Sequence, residues 1–290
     1  MADKRISALA SLLLCSGLAT AAKKETTSFK SYVDSDICSH VYAGPLTQKR
    51  IECSEQTHKE GSNPVLVRLK DSWIFEVNKE KMVKKHVGKL VTAEGEVNYN
   101  DSTMKLTSVN PLDAASIPSG EKERTLLDVR QSKAQPQLQE KIRHELAMMP
   151  YVSYFDFISF TLNGNNVTLT GWTTRPTNRS EAFNRVRQIE GVERIINNLE
   201  VTPVSPMDNQ IRAAALISLQ QNLSRYFWGS GSDIKIIVKN GDIILLGSVA
   251  SKGDSDIANL RCATIPTAFH VFNMLRITQS EGKSAKEKGD

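Results

Sequence analysis

Cys38-x-His40 and Cys53-x4-His58 have the types and spacing to do chemistry, offering two thiols and two imidazoles within a short stretch. Their spacing fits none of the common zinc arrangements. Pairing the thiols would close a loop of about 15 residues and stabilise the fold by roughly 3 kcal/mol. A Cys38–Cys53 disulfide is therefore expected, with a metal site or free thiols as the alternatives. Cys262 lies in an apolar helical stretch and reads as a small buried hydrophobe. Other chemistry is sparse. The chain has no Gly-x-Ser-x-Gly, no His-Glu-x-x-His and no phosphate loop. His40, His58, His86, His144 and His270 are dispersed, and His144 beside Glu145 suits a solvated helix face. Asp254 and Asp256 fit a helix cap better than a cation site. A non-enzymatic protein without a cofactor is expected.

The disulfide requires an oxidising compartment, and the chain opens with a matching signal. Lys4-Arg5, the apolar run Ile6–Leu18 and the small residues Ala19-Thr20-Ala21-Ala22 read as a cleaved secretory peptide over 1–22. Leu14 is too bulky to precede a lipidated Cys15, so a periplasmic protein is expected rather than a lipoprotein. The net charge of +5 is too small to argue for nucleic acid.

Two kinds of element follow. Over 29–112, short runs such as Val65–Leu69, Trp73–Val77, Gly88–Val97 and Met104–Val109 alternate with turn residues, predicting a small all-β barrel or sandwich. The order Asp34/Asp36, Cys38, Cys53, then Val65-Leu66-Val67 resembles the OB-like modules of exported bacterial proteins. Residues 113–136 read as a linker, with ends about 27 Å apart if flexible.

The remainder repeats at an offset of 76 residues. Val167–Gly171 answers Ile243–Gly247, and Ile196–Val201 answers Phe272–Ile277. Each copy reads helix–strand–strand–helix–strand, with Leu138, Ile142 and Leu146 inward on one first helix and Ile211, Ala215 and Leu219 on the other. Asp208 is expected to cap the second of these.

The parts Asn163-Gly164, Val167-Thr168-Leu169-Thr170-Gly171, Gly191-Val192, Ile195, Asn197, Leu199 and Val201 resemble a BON domain. Asn240-Gly241, Ile243–Gly247, Val271, Asn273, Leu275 and Ile277 repeat the resemblance, departing at Thr267-Ala268. The departure leaves the local turn open. The expected fold is α+β: BON-like domains at 137–203 and 208–278, an OB-like barrel before them and a disordered tail at 279–290. The resemblance implies an envelope protein that attaches to phospholipid or supports envelope integrity under osmotic stress. It supplies no catalytic residues.

The repeat also allows an internal comparison. Both helices should cover one sheet face, leaving Thr161, Thr168, Thr170 and Asn198 on the other in copy one. Copy two has Ile237, Ile244, Leu246 and Met274 there, rimmed by Lys235, Lys239 and Arg276. Such a patch needs burial. Packing against copy one or a second chain is the expected outcome, and an anionic phospholipid surface is the alternative. Arg225-Tyr226-Phe227-Trp228 is a second candidate for membrane contact, with part of it covering the core. The partner is thus an anionic membrane surface or an envelope protein, with self-association a further outcome and nucleic acid excluded. The competing function is a structural adaptor.

Overall fold

A computed structural model describes residues 25–43, 47–112, 124–125, 136–228 and 233–278. The expected signal peptide, the tail and most of the linker lie outside these residues.

The N-terminal module begins with strand β1 (Glu25–Ser35), followed by helix α1 (Asp36–Val41), strand β2 (Tyr42–Ala43) and helix α2 (Gln48–Lys59). Strands β3 (Pro64–Arg68) and β4 (Ile74–Val77), helix α3 (Glu80–Val83), and strands β5 (Leu90–Asn98) and β6 (Thr103–Pro111) complete it. The short β7 (Arg124–Thr125) pairs with β2. The barrel closes in the order β1-β3-β4-β6-β5, with β4 and β6 parallel. Closure removes exposed edges and is the topology of an OB-like barrel. Its core gathers Val33, Leu66, Phe75, Val91, Met104 and Leu106.

The all-β expectation for 29–112 needs one correction, because α1 and α2 form a helical insertion between the first two barrel strands. Thr47 caps α2 by accepting from Arg50 N. Arg50 then donates to the buried Asp34 at 2.7 Å, with its guanidinium 4.5 Å from the Tyr32 ring. Ser54 also donates to Asp34, so α2 is fastened to β1 by groups its apolar content would not announce. Cys38 and Cys53 are joined, with their Cα atoms 6.2 Å apart, linking α1 to α2. Both thiols are consumed, which removes the metal alternative at Cys38 and Cys53.

The first repeat comprises α4 (Pro136–Ala147), β8 (Phe157–Asn163), β9 (Asn166–Thr173), α5 (Pro176–Arg187) and β10 (Arg194–Val201). The second comprises α6 (Pro206–Leu223), β11 (Ile234–Lys239), β12 (Asp242–Val249), α7 (Lys252–Ala263), β13 (Val271–Asn273) and β14 (Arg276–Ile277). Each sheet has an antiparallel hairpin with the third strand parallel to its middle strand. The helices cover one face, burying Ile142, Leu169 and Val186 in the first copy and Ala215, Leu245 and Ala258 in the second.

The shared motif residues have identifiable work. Gly171 and Gly247 adopt φ of +121° and +111°. A Cβ there would collide with the carbonyls of Phe157 and Asp233 respectively. Only glycine admits both the dihedral and the close approach. Asn197 and Asn273 each donate to a carbonyl of the neighbouring helix, Arg179 or Ser255, and accept from the amide two residues on. The turn left open at Thr267-Ala268 is retained: Ala268 N donates to Ile265 O at 3.1 Å, as Val192 N does to Ile189 O at 3.2 Å.

One cap differs from expectation. Ser205 caps α6, and the buried Asp208 instead accepts from Asn240 N and Gly241 N at 3.1 and 2.8 Å. It holds the hairpin turn because both amides there face inward. Asp254 also lies within its helix: Ser251 is the cap and accepts from Asp254 N.

Candidate functional site

The face assignment for copy two holds, and the face is covered. Ile237, Ile244 and Leu246 are buried in a cluster separate from the core beneath their own helices. The cluster contains Ile37 and Val41 of α1, Phe157 and Trp172 of the first repeat, and Phe272; Met274 packs against it. Ile37 and Val41 are spaced i, i+4 and so share one side of a six-residue helix. α1 runs against β9 of the first repeat, and that side joins the apolar cluster shared by both repeats. Burying each such side chain contributes roughly 1.5–3 kcal/mol. An exposed lipid-facing patch at Ile237, Ile244 and Leu246 is therefore corrected: the modules' own packing takes that surface.

Copy one's polar face is not fully solvated either. Thr170 and Asn198 are buried. Asn198 donates to Ser72 O at 2.8 Å and accepts from Ile74 N at 3.4 Å, reading the barrel's β3–β4 turn.

The expected rim cations divide. Lys235 is half-buried and donates to Ser153 O of the first repeat at 3.3 Å. Burial lowers its pKa from the ordinary lysine value. Arg276 is half-buried on β14. Lys239 lies at the meeting point of all three modules. Its Nζ is 2.8 Å from Asp36 Oδ2, 2.6 Å from Glu200 Oε1 and 3.7 Å from Glu76 Oε1. Burial alone would depress this ammonium, but the Asp36 and Glu200 carboxylates outweigh it and raise the Lys239 pKa. Burial opposes ionisation of Asp36 as well, yet Lys239 and then His40 hold it below the usual aspartate value. Glu200 moves the other way, raised by burial and by Asp36 beside it.

The surrounding groups fix this arrangement. Trp172 Nε1 donates to Glu200 Oε2 at 3.1 Å. His40 Nδ1 lies 2.9 Å from the Asp36 carbonyl. Since a carbonyl only accepts, that nitrogen carries the proton. The His40 ring stands 4.6 Å from Trp172. Asp36, His40 and Glu200 present ligand-type atoms within 4.8 Å of one another. The Lys239 ammonium bonds to two of the three and supplies the positive charge that the cluster requires. A cavity of about 320 Å³ opens beside them, lined also by Glu76, Asp101 and Arg179.

The second candidate loop is mostly structural. Tyr226 and Phe227 are buried, and Tyr154 of the first repeat meets Phe227 edge-on at 5.6 Å. Ile236 N donates to Tyr154 O at 2.8 Å, tying the loop of one copy to the strand of the next. Tyr226 Oη and Arg225 both donate to Asp254. Hydrogen bonds from Ser251, then Tyr226 and Arg225, lower the Asp254 pKa. Trp228 is 79% exposed and is the aromatic of this run left at the surface.

No sequence motif marks Asp36, Trp172 or Glu200 as site residues, and His40 enters the sequence reading only as a metal ligand beside Cys38. The one available signal was the change from Glu200 to Arg276 across the repeat, which marks a position serving different partners in the two copies.

Residues 135–203 and 208–279 each match the BON domain. No curated protein matches the chain. Among solved structures, CdsD, a structural protein of the type III secretion system of Chlamydia trachomatis, is 13% identical. That alignment covers 50% of this chain and 93% of CdsD, with a TM-score of 0.21. A second structure, the CdsD C-terminal domain, is 12% identical over 49% of this chain and 98% of that one, also with a TM-score of 0.21. The chain is a tandem BON-domain protein, its pair of BON domains preceded by a five-stranded, OB-like barrel.

Proposed function

We propose that this chain is a non-enzymatic, exported adaptor of the cell envelope, in which the barrel and both BON domains act as one rigid unit. The observation that carries the reading is the Lys239 junction. One half-buried ammonium on the second BON domain binds a carboxylate from the barrel's insertion helix and another from the first BON domain. A buried ion pair left with one partner missing is strongly destabilising, so separation of any module is opposed. The apolar face that would have suited a lipid surface is spent on this assembly. The disulfide between α1 and α2 agrees with an oxidising compartment.

Thermal unfolding tests the rigid-unit reading. The wild-type chain should melt in one transition, and Lys239→Met should split it into separate barrel and BON transitions. A wild type that already melts in separate steps would refute the rigid unit.

Phospholipid attachment is the second reading, favoured by the exposure of Trp228 beside Arg225 and by BON domains being associated with phospholipid-binding proteins. Co-sedimentation with anionic vesicles at two salt concentrations separates the two. Retention that is lost with Trp228→Ser and at high salt supports lipid attachment, and absence of retention supports the adaptor.

A further inference from the structure

The third strand of each BON sheet is engaged differently. In the first domain β10 receives the barrel's β3–β4 turn through Asn198. In the second domain that position is Met274, just past the end of the corresponding strand, β13. Opposite it stands α2, with α7 alongside, across a cleft of about 430 Å³ lined by Gln56, Glu60, Lys252, Asp256 and the whole run Val271–Met274.

Hydrogen-bond direction identifies what β13 offers this cleft. Val271, Phe272 and Asn273 lie beside Ile243, Ile244 and Leu245 in parallel register. Ile243 N donates to His270 O and Met274 N donates to Leu245 O. In a parallel ladder these bonds assign residues 270, 272 and 274 to β12. The amides and carbonyls of Val271 and Asn273 therefore point away from the sheet. Both residues are half-buried. Their side chains serve the domain itself, Val271 against the core and Asn273 on Ser255 of α7. The outward main chain is left to hydrogen-bond with something else, and an open strand edge is a template for another strand.

We propose that β13 is an entry edge for an extended segment of a partner protein, which adds to the second BON sheet as a further strand. Main-chain bonds to Val271 and Asn273 hold the segment, and the α2 wall selects its side chains. With Lys252 paired to Asp256, Glu60 leaves the cleft lining one negative charge in excess, which favours a segment carrying Lys or Arg. This assignment rests on the adaptor reading and names where its partner enters.

The test passes the full-length chain over immobilised seven-residue peptides of alternating valine and threonine with one central lysine. Peptides of similar composition with proline at alternate positions serve as the control. Only the proline-free set should retain the protein. Val271→Pro deletes an outward amide while sparing the ladder, and Gln56→Trp fills the cleft from the opposite wall. Each should weaken retention about tenfold, the loss that one or two interstrand hydrogen bonds imply. Val271→Ala, which keeps the amide, should bind like wild type. Undiminished retention of both Val271→Pro and Gln56→Trp, or no retention of the wild type by any proline-free peptide, overturns the proposal. Neither variant touches Lys239, so failure here is distinct from a split melting transition of the wild type, which would count against the rigid unit.

Discussion

Lys239 and Glu200 meet at 2.6 Å across the two BON domains, and the repeat makes this contact one-sided. The residues matching them in the other copy are Asn163 and Arg276, so the exchanged pairing cannot form. The duplicated modules have acquired complementary charges at non-equivalent positions. One relative orientation is thereby selected, with Asp36 of α1 drawn in as the third member.

Lys239→Met should destabilise the chain by about 1.5–3 kcal/mol, the range for hydrogen bonds to charged groups, because it leaves the buried Asp36 and the half-buried Glu200 without their shared cation. Urea denaturation followed by tryptophan fluorescence reads the loss. Lys239→Met combined with Glu200→Gln should recover part of it, since the second change removes one of the stranded charges.

The pH dependence has a defined sign. Asp36 is held below its ordinary value of 3.8, so its contribution is present above that value and is lost as pH falls through the folded value. Lys239 is raised above 10.5, so its contribution is complete below 10.5 and is lost only at higher pH. Glu200 is raised above 4.5 and acts in the opposite sense, gaining stability as it protonates on acidification. Urea midpoints should therefore show an acid-side loss that Asp36→Asn reduces, with Asp254 contributing in the same sense, and Glu200→Gln should steepen the decline below neutrality.

Replacing Cys38 and Cys53 with serine should cost roughly 3 kcal/mol, the chain-entropy value for a loop of about 15 residues. Because α1 carries Ile37, Val41 and Asp36 into the junction, the single transition should shift as a whole rather than shed a separate barrel step. Calorimetry with and without reductant checks this.

Gly171→Ala and Gly247→Ala should each destabilise by at least about 2 kcal/mol, from the positive φ alone before the carbonyl clash is counted. Gly164→Ala, at the open tip of the β8–β9 hairpin, should cost less because a Cβ there meets nothing within 4 Å. Thermal melts of the three variants test the contrast.

Leu246→Asp should prevent stable folding, since it places an unpaired charge in a cluster formed by all three modules. Trp228→Ser should leave stability within about 0.5 kcal/mol. Equal effects of the two would contradict the burial described here.

The amino-acid sequence alone determined the local and periodic features. Strand alternation has period two, so it already separated Ile236 and Val238, which face the helices, from Ile237, which does not. The 76-residue offset identified twin modules, and the two motif glycines fell where positive φ is required. What covers Ile237, Ile244 and Leu246 was decided only in three dimensions. The covering helix is six residues long, too short for a periodic signal, and its apolar side chains face another domain rather than its own barrel. Asp36, Glu200 and Lys239 likewise carry no shared local pattern. Their meaning arises when chain segments up to 203 residues apart bring opposite charges together out of water, where the pairing is strong and the loss of one partner is costly.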